Sequence, residues 1–249
     1  MNVGNREQTG EVVKEGLLRF GTSLPKEGTF TRDPEADRLL RDDPFAFLMA
    51  ASLDRGARAE SVWKLPLRLQ QKLGELDPEK FSRMTPIQLE QILRQLPKKP
   101  RFPNQAAKTI VSLAKLVFQE FGGDARGVWS GKPVLQVLDS LQRIHGVGPG
   151  IAHMTVRILI DEGQYEPSAH DLRLIDIKPD VHVTRVFCRS CLSPRPDNQS
   201  CIETARKLCP EFPGKLDWPA WEIGRKHCHE SAPDCPECPL DDMCQKIRI

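Results

Sequence analysis

The sequence predicts an all-α protein. Apolar residues recur at helical spacing along most of the chain, a strong helix start stands at Asp43-Pro44, and no two alternating segments offer each other a strand partner. Composition points the same way, since one Tyr and ten Phe stand among abundant Leu, Ala and Arg. A chain of 249 residues is long enough to bury a substantial core, in one large domain or two modest ones.

The first forty residues carry an amphipathic segment (Val12, Val13, Leu17, Leu18), a loop with Gly and Pro, and a charged stretch ending at Asp43. Asp43 can cap a helix, Pro44 suits its first position, and 45–53 is apolar nearly all round, which predicts a buried helix ending near Gly56. Helical pieces are expected over 57–73, interrupted or kinked at Pro66, and then around 78–83 and 86–96. Pro97-Lys98-Lys99-Pro100-Arg101-Phe102-Pro103 reads as a stiff basic loop. Over 105–121, Ile110, Leu113, Ala114, Val117 and Phe121 keep helical spacing with Lys108, Ser112, Lys115 and Gln119 opposite. Val134, Val137, Leu138 and Leu141 repeat that pattern.

Charge and targeting signals narrow the class. The formal net charge is +2, from 36 Lys and Arg against 34 Asp and Glu, so any affinity for nucleic acid must come from local placement of charge. The N-terminal residues are polar, with no signal-peptide core, and the most apolar stretches are too short to span a bilayer. A cytoplasmic protein is expected, nucleoid-associated if prokaryotic, with its eight Cys reduced or metal-bound.

Two motifs carry chemistry. Between apolar helices, His145-Gly146-Val147-Gly148-Pro149-Gly150 places three Gly in six residues, which permits positive φ and leaves backbone N–H groups uncovered. The following helix points its N-terminal dipole at the same spot, so the turn suits a phosphate oxygen, with Val147 anchored inward. An ordinary αα-hairpin would use the same glycines merely for a tight turn. Near the C-terminus, Cys228, Cys235, Cys238 and Cys244 form C-x6-C-x2-C-x5-C with Pro236 and Pro239 inside the set. Four thiolates on one compact loop suit a [4Fe–4S] cluster or a four-cysteine zinc site, although zinc sites more often pair two C-x2-C knuckles. Cys188, Cys191, Cys201 and Cys209 lie among helical patterns and read as buried core cysteines, though Cys188 and Cys191 share a helix face.

The glycine hairpin, then Asp180-Val181-His182-Val183-Thr184-Arg185-Val186, then the four spaced cysteines, in that order, resembles the endonuclease III family of helix-hairpin-helix (HhH-GPD) DNA glycosylases over about 43–249. The resemblance implies a two-lobed fold: a six-helix barrel domain over 43–161, and a helical cluster domain from 1–42 and 162–249 holding a [4Fe–4S] cluster on the four cysteines. It implies a monomer acting on double-stranded DNA that contains a lesion or mismatch, with no membrane partner. Asp180 matches the catalytic aspartate. A carboxylate there would stabilise oxocarbenium charge and orient the attacking water, and it would also cap the helix beginning at Val181. His182 and Arg185 match as buried structural partners. Asp171 and Asp176 lie near enough in sequence to leave the catalytic carboxylate open.

Departures from the family refine this. Members that also cleave the strand carry a Lys where this chain has Gly150, so a monofunctional glycosylase without AP lyase activity is expected. The longer stretch from 150 to 180 brings Tyr165 and Asp171 toward the expected pocket, as a base-binding wall or as a surface insertion. The cluster loop lacks Lys and Arg between Cys228 and Cys235, so gripping of phosphates is expected from Gly146, Val147, Gly148 and Gly150 and from Lys98, Lys99 and Arg101. Phe102 is either the apolar wedge of that loop or a core residue. Ser52, Asp54 and Arg55 match the segment that fills the gap left by a flipped base. Uracil or thymine mispaired with guanine, or an alkylated base, are the expected substrates. Adenine opposite oxidised guanine is disfavoured because the chain stops at Ile249. A protein of this fold that binds lesions without catalysis is the alternative.

Overall fold

The computed structural model describes residues 3–25, 30–56 and 58–247, with side chains from residue 8 onward. Among the described residues every regular element is helical. In chain order they are α1 (Val3–Ser23), α2 (Pro34–Asp42), α3 (Pro44–Ser52), α4 (Ala59–Val62), α5 (Leu65–Leu73), α6 (Pro78–Arg83) and α7 (Pro86–Arg94). Then come α8 (Pro103–Phe121), α9 (Val134–Gln142), α10 (Pro149–Asp161), α11 (Ala169–Leu172), α12 (Val181–Arg189), α13 (Asn198–Leu208) and α14 (Asp217–Lys226). None is long and apolar enough to cross a membrane.

One device starts four of these helices. Asp33, Asp43, Asp77 and Thr85 each accept a hydrogen bond from a first-turn N–H, and a Pro follows each at the first helical position. The Pro has no N–H to leave unsatisfied, and each cap contributes about 1 kcal/mol. Thr85 completes a capping box with Gln88. The α2 start at Asp33-Pro34 carries the same signal as Asp43-Pro44, and it converts the charged stretch before Asp43 into a helix. The piece expected over 57–73 is two helices: Pro66, second in α5, cannot donate to Val62, so the chain breaks at Trp63-Lys64. Ala57 lies outside the described residues.

The chain divides into two compact units, 25–166 and the combination of 1–24 with 167–249. The sequence boundary at 43 moves to 25 because α2 packs on α3 and α5, and the boundary at 161 moves to 166.

In unit 25–166, α3 is the centre. Phe45 through Ser52 are all buried, and α3 meets α2, α5, α8, α10 and the 3-10 turn Ala125–Val128. The Trp63 ring stacks on Phe30 at 4.7 Å, and its indole N–H donates to Asp54 Oδ1 at 3.1 Å. Trp129, fully buried, donates to the Gln164 carbonyl at 3.0 Å. Tyr165 is buried too, and its hydroxyl donates to the Lys132 carbonyl at 2.7 Å. That corrects its expected place on a base-binding wall, because a stacking ring needs a free face.

In the other unit, α1 packs against α13, α14 and the 3-10 turn Pro213–Leu216, while α12 packs against α13 and α14. Val13 and Leu17 of α1 join Val183, Phe187, Leu216 and Ile223 in the core, with Val12 left outside. α12 and α14 approach so closely that a Cβ on Gly224 would lie 2.6 Å from the His182 carbonyl oxygen. Backbone cannot yield as a side-chain tip can, so Gly224→Ala is expected to destabilise by about 1–3 kcal/mol. Gly21→Ala, which leaves 3.4 Å to Pro219, serves as its control. Urea midpoints of the two variants check this.

Candidate functional site

The unit 25–166 carries the glycine hairpin between α9 and α10. Gly146 takes φ +78°, a region that favours glycine. Val147 is buried with its N–H bonded to the Ile144 carbonyl at 3.0 Å, and Gly148 caps α10. Among the described residues the N–H groups of Gly148 and Gly150 have no protein acceptor, and Pro149 has no N–H to offer. Two amides at a helix N-terminus therefore face outward on a fixed backbone, the arrangement that suits an anionic oxygen.

The fixing comes from behind. Thr109 of α8, with no exposed surface, accepts from Arg55 Nη2 at 2.7 Å and can donate to the His145 carbonyl at 2.9 Å. Arg55 Nη1 donates to the Gly146 carbonyl and, at 3.3 Å, to the Ser52 carbonyl. Ser112 Oγ accepts the His145 N–H at 3.0 Å. A Cβ at position 146 would meet the Arg55 guanidinium, the movable end of a side chain, so it is the positive φ that calls for glycine there.

This reassigns three residues expected at a base pocket. Ser52 is buried beneath the turn, Asp54 accepts from Trp63, and Arg55 serves the hairpin. Asp171, also expected there, is half-exposed on α11, with its N–H held by Ser168 Oγ at 3.1 Å. In the basic loop Lys98, Lys99, Arg101 and Phe102 are all exposed, Phe102 to 53%. The Arg101 guanidinium lies 5.1 Å over the Phe102 ring and donates to the Gly56 carbonyl at 2.9 Å. Phe102 is thus no core residue, leaving the wedge as its open role.

In the other unit Asp180 caps α12. Its Oδ1 accepts from His182 N at 2.8 Å and from Val183 N at 2.9 Å, while among the described residues Oδ2 accepts nothing. One oxygen is pinned by the helix and the other is available. Asp176 is a different case: both its oxygens are bonded by Arg206, at 2.7 Å each, and it is buried. That engagement removes it as a competing carboxylate.

From α12, Arg185 donates to the Gly224 carbonyl at 2.9 Å, to the Val181 carbonyl at 3.1 Å and to the Cys228 carbonyl, and its Nη2 meets His182 Nδ1 at 3.1 Å. Arg189, at the end of the same helix, donates to Cys228 Sγ at 3.6 Å, to Glu230 O at 2.7 Å and to His229 O. The helix that carries Asp180 therefore also grips the cysteine loop.

Cys228, Cys235, Cys238 and Cys244 are all half-buried, whereas Cys188, Cys191, Cys201 and Cys209 are buried. Burial, then the neighbouring thiols of Cys244, Cys228 and Cys235, push the Cys238 thiol up to about 11. The Lys246 N–H lies 3.4 Å from Cys244 Sγ. Four half-buried thiols on one loop, two of them with an N–H donor at the sulfur (Cys228 and Cys244), fit a thiolate-held group as a donor set. No three His, Cys, Asp or Glu among the described residues converge on a position for a single ion.

No protein-family model matches the chain. It is 26% identical over 235 residues to the endonuclease III of Bacillus subtilis (strain 168), covering 92% of this chain and 93% of that protein. The chain is thus similar to an endonuclease III along nearly the whole length of both proteins. A thymine-DNA glycosylase of Aeropyrum pernix (strain ATCC 700893 / DSM 11879 / JCM 9820 / NBRC 100138 / K1) is 27% identical over 206 residues, covering 81% of this chain and 82% of that protein. Among solved structures, a trapped endonuclease III–DNA covalent intermediate, an estranged-adenine complex, shares the fold with a TM-score of 0.66 at 22% identity, over 95% and 96% of the two chains. A thermostable thymine-DNA glycosylase shares it with a TM-score of 0.62 at 17% identity, over 96% and 97%.

The hairpin makes two contrasting demands on glycine. Gly146→Ala is expected to cost at least about 1–2 kcal/mol from φ alone. Gly148→Ala, at φ −96° with nothing within 4 Å of the added Cβ, should leave stability unchanged. Thermal unfolding of both variants checks the difference.

Proposed function

We propose that this protein is a DNA glycosylase that hydrolyses the N-glycosidic bond of a flipped damaged or mismatched base and leaves the abasic site uncleaved. The observation that carries the reading is Asp180, with one oxygen pinned at the α12 N-terminus and the other unbonded among the described residues. The free oxygen stabilises positive charge developing on the sugar and orients the attacking water. Pinning Oδ1 means that little reorganisation is needed as that charge forms.

Hydrolysis, without strand cleavage, follows from position 150. There α10 presents Gly150, so no amine is available to form a Schiff base with the sugar. The outward N–H groups of Gly148 and Gly150 hold a backbone phosphate. Lys98, Lys99 and Arg101 add cationic contacts on duplex DNA, and exposed Phe102 enters the base stack. The named activity of the Aeropyrum pernix relative supports thymine or uracil opposite guanine as substrate, with alkylated bases the second class. The protein acts as a monomer.

Cys228, Cys235, Cys238 and Cys244 would hold a [4Fe–4S] cluster. When bound, the cluster supplies a rigid cross-link of the loop. Arg185 and Arg189 then tie that loop to the helix bearing Asp180.

Asp180→Asn tests the chemistry with the fold kept, because Asn caps a helix as well as Asp does. Single-turnover base release on duplexes bearing uracil, mismatched thymine or alkylated purines is expected to fall about 100-fold or more, with duplex binding retained. Unchanged release would sink the assignment. Strand breaks should appear only after alkali, and borohydride should trap no covalent adduct; a trapped adduct would refute the monofunctional reading. Cys238→Ser, or iron chelation after reduction, should lower the iron content, bleach the visible absorption and lower the melting temperature. Full iron content in Cys238→Ser would exclude that residue as a ligand.

A further inference from the structure

A cleft of about 70 Å³ opens in unit 25–166 beside the basic loop, and every charged residue in its largely apolar wall is a cation. Arg55, Arg68, Lys99 and Arg101 all line it, together with the Phe102 ring, and no carboxylate does. Among the described residues none of the four cations has an ion-pair partner. Arg68 donates only to carbonyls, of Ser61 at 3.2 Å and Lys98 at 3.3 Å. Arg101 donates to the Gly56 carbonyl, and Arg55 to carbonyls and the Thr109 hydroxyl. The nearby acid that acts on Arg68, Asp33, is itself bridged by Lys64 at 3.3 Å.

Several other arginines of the same unit are paired. Arg83, Arg94, Arg143 and Arg157 each sit on a carboxylate. Four like charges brought together without a counter-charge repel one another, and burial pulls both Arg55 and Arg68 below their ordinary values. Such an arrangement is stable in itself only at a cost, and a bound anion would remove that cost. The space admits a tetrahedral oxyanion.

We propose that this cleft is a phosphate-binding site, filled by a backbone phosphodiester of DNA and held by Arg68, Lys99 and Arg101. Arg55 belongs to both anion sites of the unit, since it lines the cleft and donates to the hairpin carbonyl of Gly146. Phosphate in the cleft also accounts for the exposed Phe102: the ring stands beside the anion, where a wedge must be anchored to the backbone it enters. The DNA source rests on the glycosylase reading; the phosphate chemistry does not.

Duplex binding by the full protein, measured by anisotropy across a salt series, tests the site. Lys99→Gln is expected to reduce the slope of log K against log salt by about 0.9, the change that follows when one phosphate fewer is neutralised. Arg101→Gln should do the same and Arg101→Lys should restore it, while Lys80→Gln, on α6 outside the cleft, should match wild type. A second arm compares melting in phosphate and in chloride at equal ionic strength, without DNA. Stabilisation of wild type but not of Lys99→Gln by phosphate, with wild-type slopes throughout, assigns the cleft to a free phosphate and overturns the DNA source. Unchanged slopes and no phosphate effect overturn the site. Base release is scored separately: release with wild-type slopes in the variants leaves the glycosylase reading standing without the cleft, and lowered slopes without release leave the reverse.

Discussion

The hydrogen bonds of Arg185 are the constraint on which the geometry of the smaller unit depends. One guanidinium reaches the last turns of α14 through the Gly224 carbonyl, the start of the cysteine loop through the Cys228 carbonyl, and its own helix through the Val181 carbonyl. A planar fork of five donors can do this where an ammonium could not. Because α12 begins at Asp180, whatever fixes α12 fixes the carboxylate. Gly224 lets α14 come close enough for the contact to exist, and Arg189 repeats the grip one turn on at Glu230.

The hairpin unit uses the same logic with different residues. Arg55 and Thr109 meet the hairpin from segments far away in sequence, and both spend their polarity on carbonyls of residues 145 and 146. The turn is thereby held from inside, leaving its outer amides uncommitted. In both units an Arg organises backbone from behind, Arg55 at the hairpin and Arg185 at the start of the cysteine loop.

Much of the scaffold was legible in the sequence because local chemistry decides it. Asp-Pro and Thr-Pro pairs mark helix starts, apolar spacing marks α3, α8 and α9, and the glycines mark the hairpin. Asp180 was legible as a helix cap. The side-chain jobs were less so. Arg55 looked like a pocket residue because its partners, Thr109 and Gly146, lie 54 and 91 positions on, and no periodicity encodes such a meeting. Tyr165 looked exposed in a polar run, yet its hydroxyl finds the Lys132 carbonyl and the ring is covered. Arg68 gave no signal at all. Phe102 was ambiguous for the opposite reason, since an apolar residue normally goes inside and only its neighbours in three dimensions reveal that it does not.

The division of the chain has a consequence for how the protein is made. Residues 25–166 form one unbroken unit, whereas the smaller unit joins 1–24 to 167–249. During synthesis the contiguous unit can complete its core as soon as it has emerged, but α1 appears first and meets α13 and α14 last. Val13 and Leu17 must therefore wait, uncovered, through the translation of more than half the chain. The apolar face of α1 is thus the last part of this unit's core to be covered.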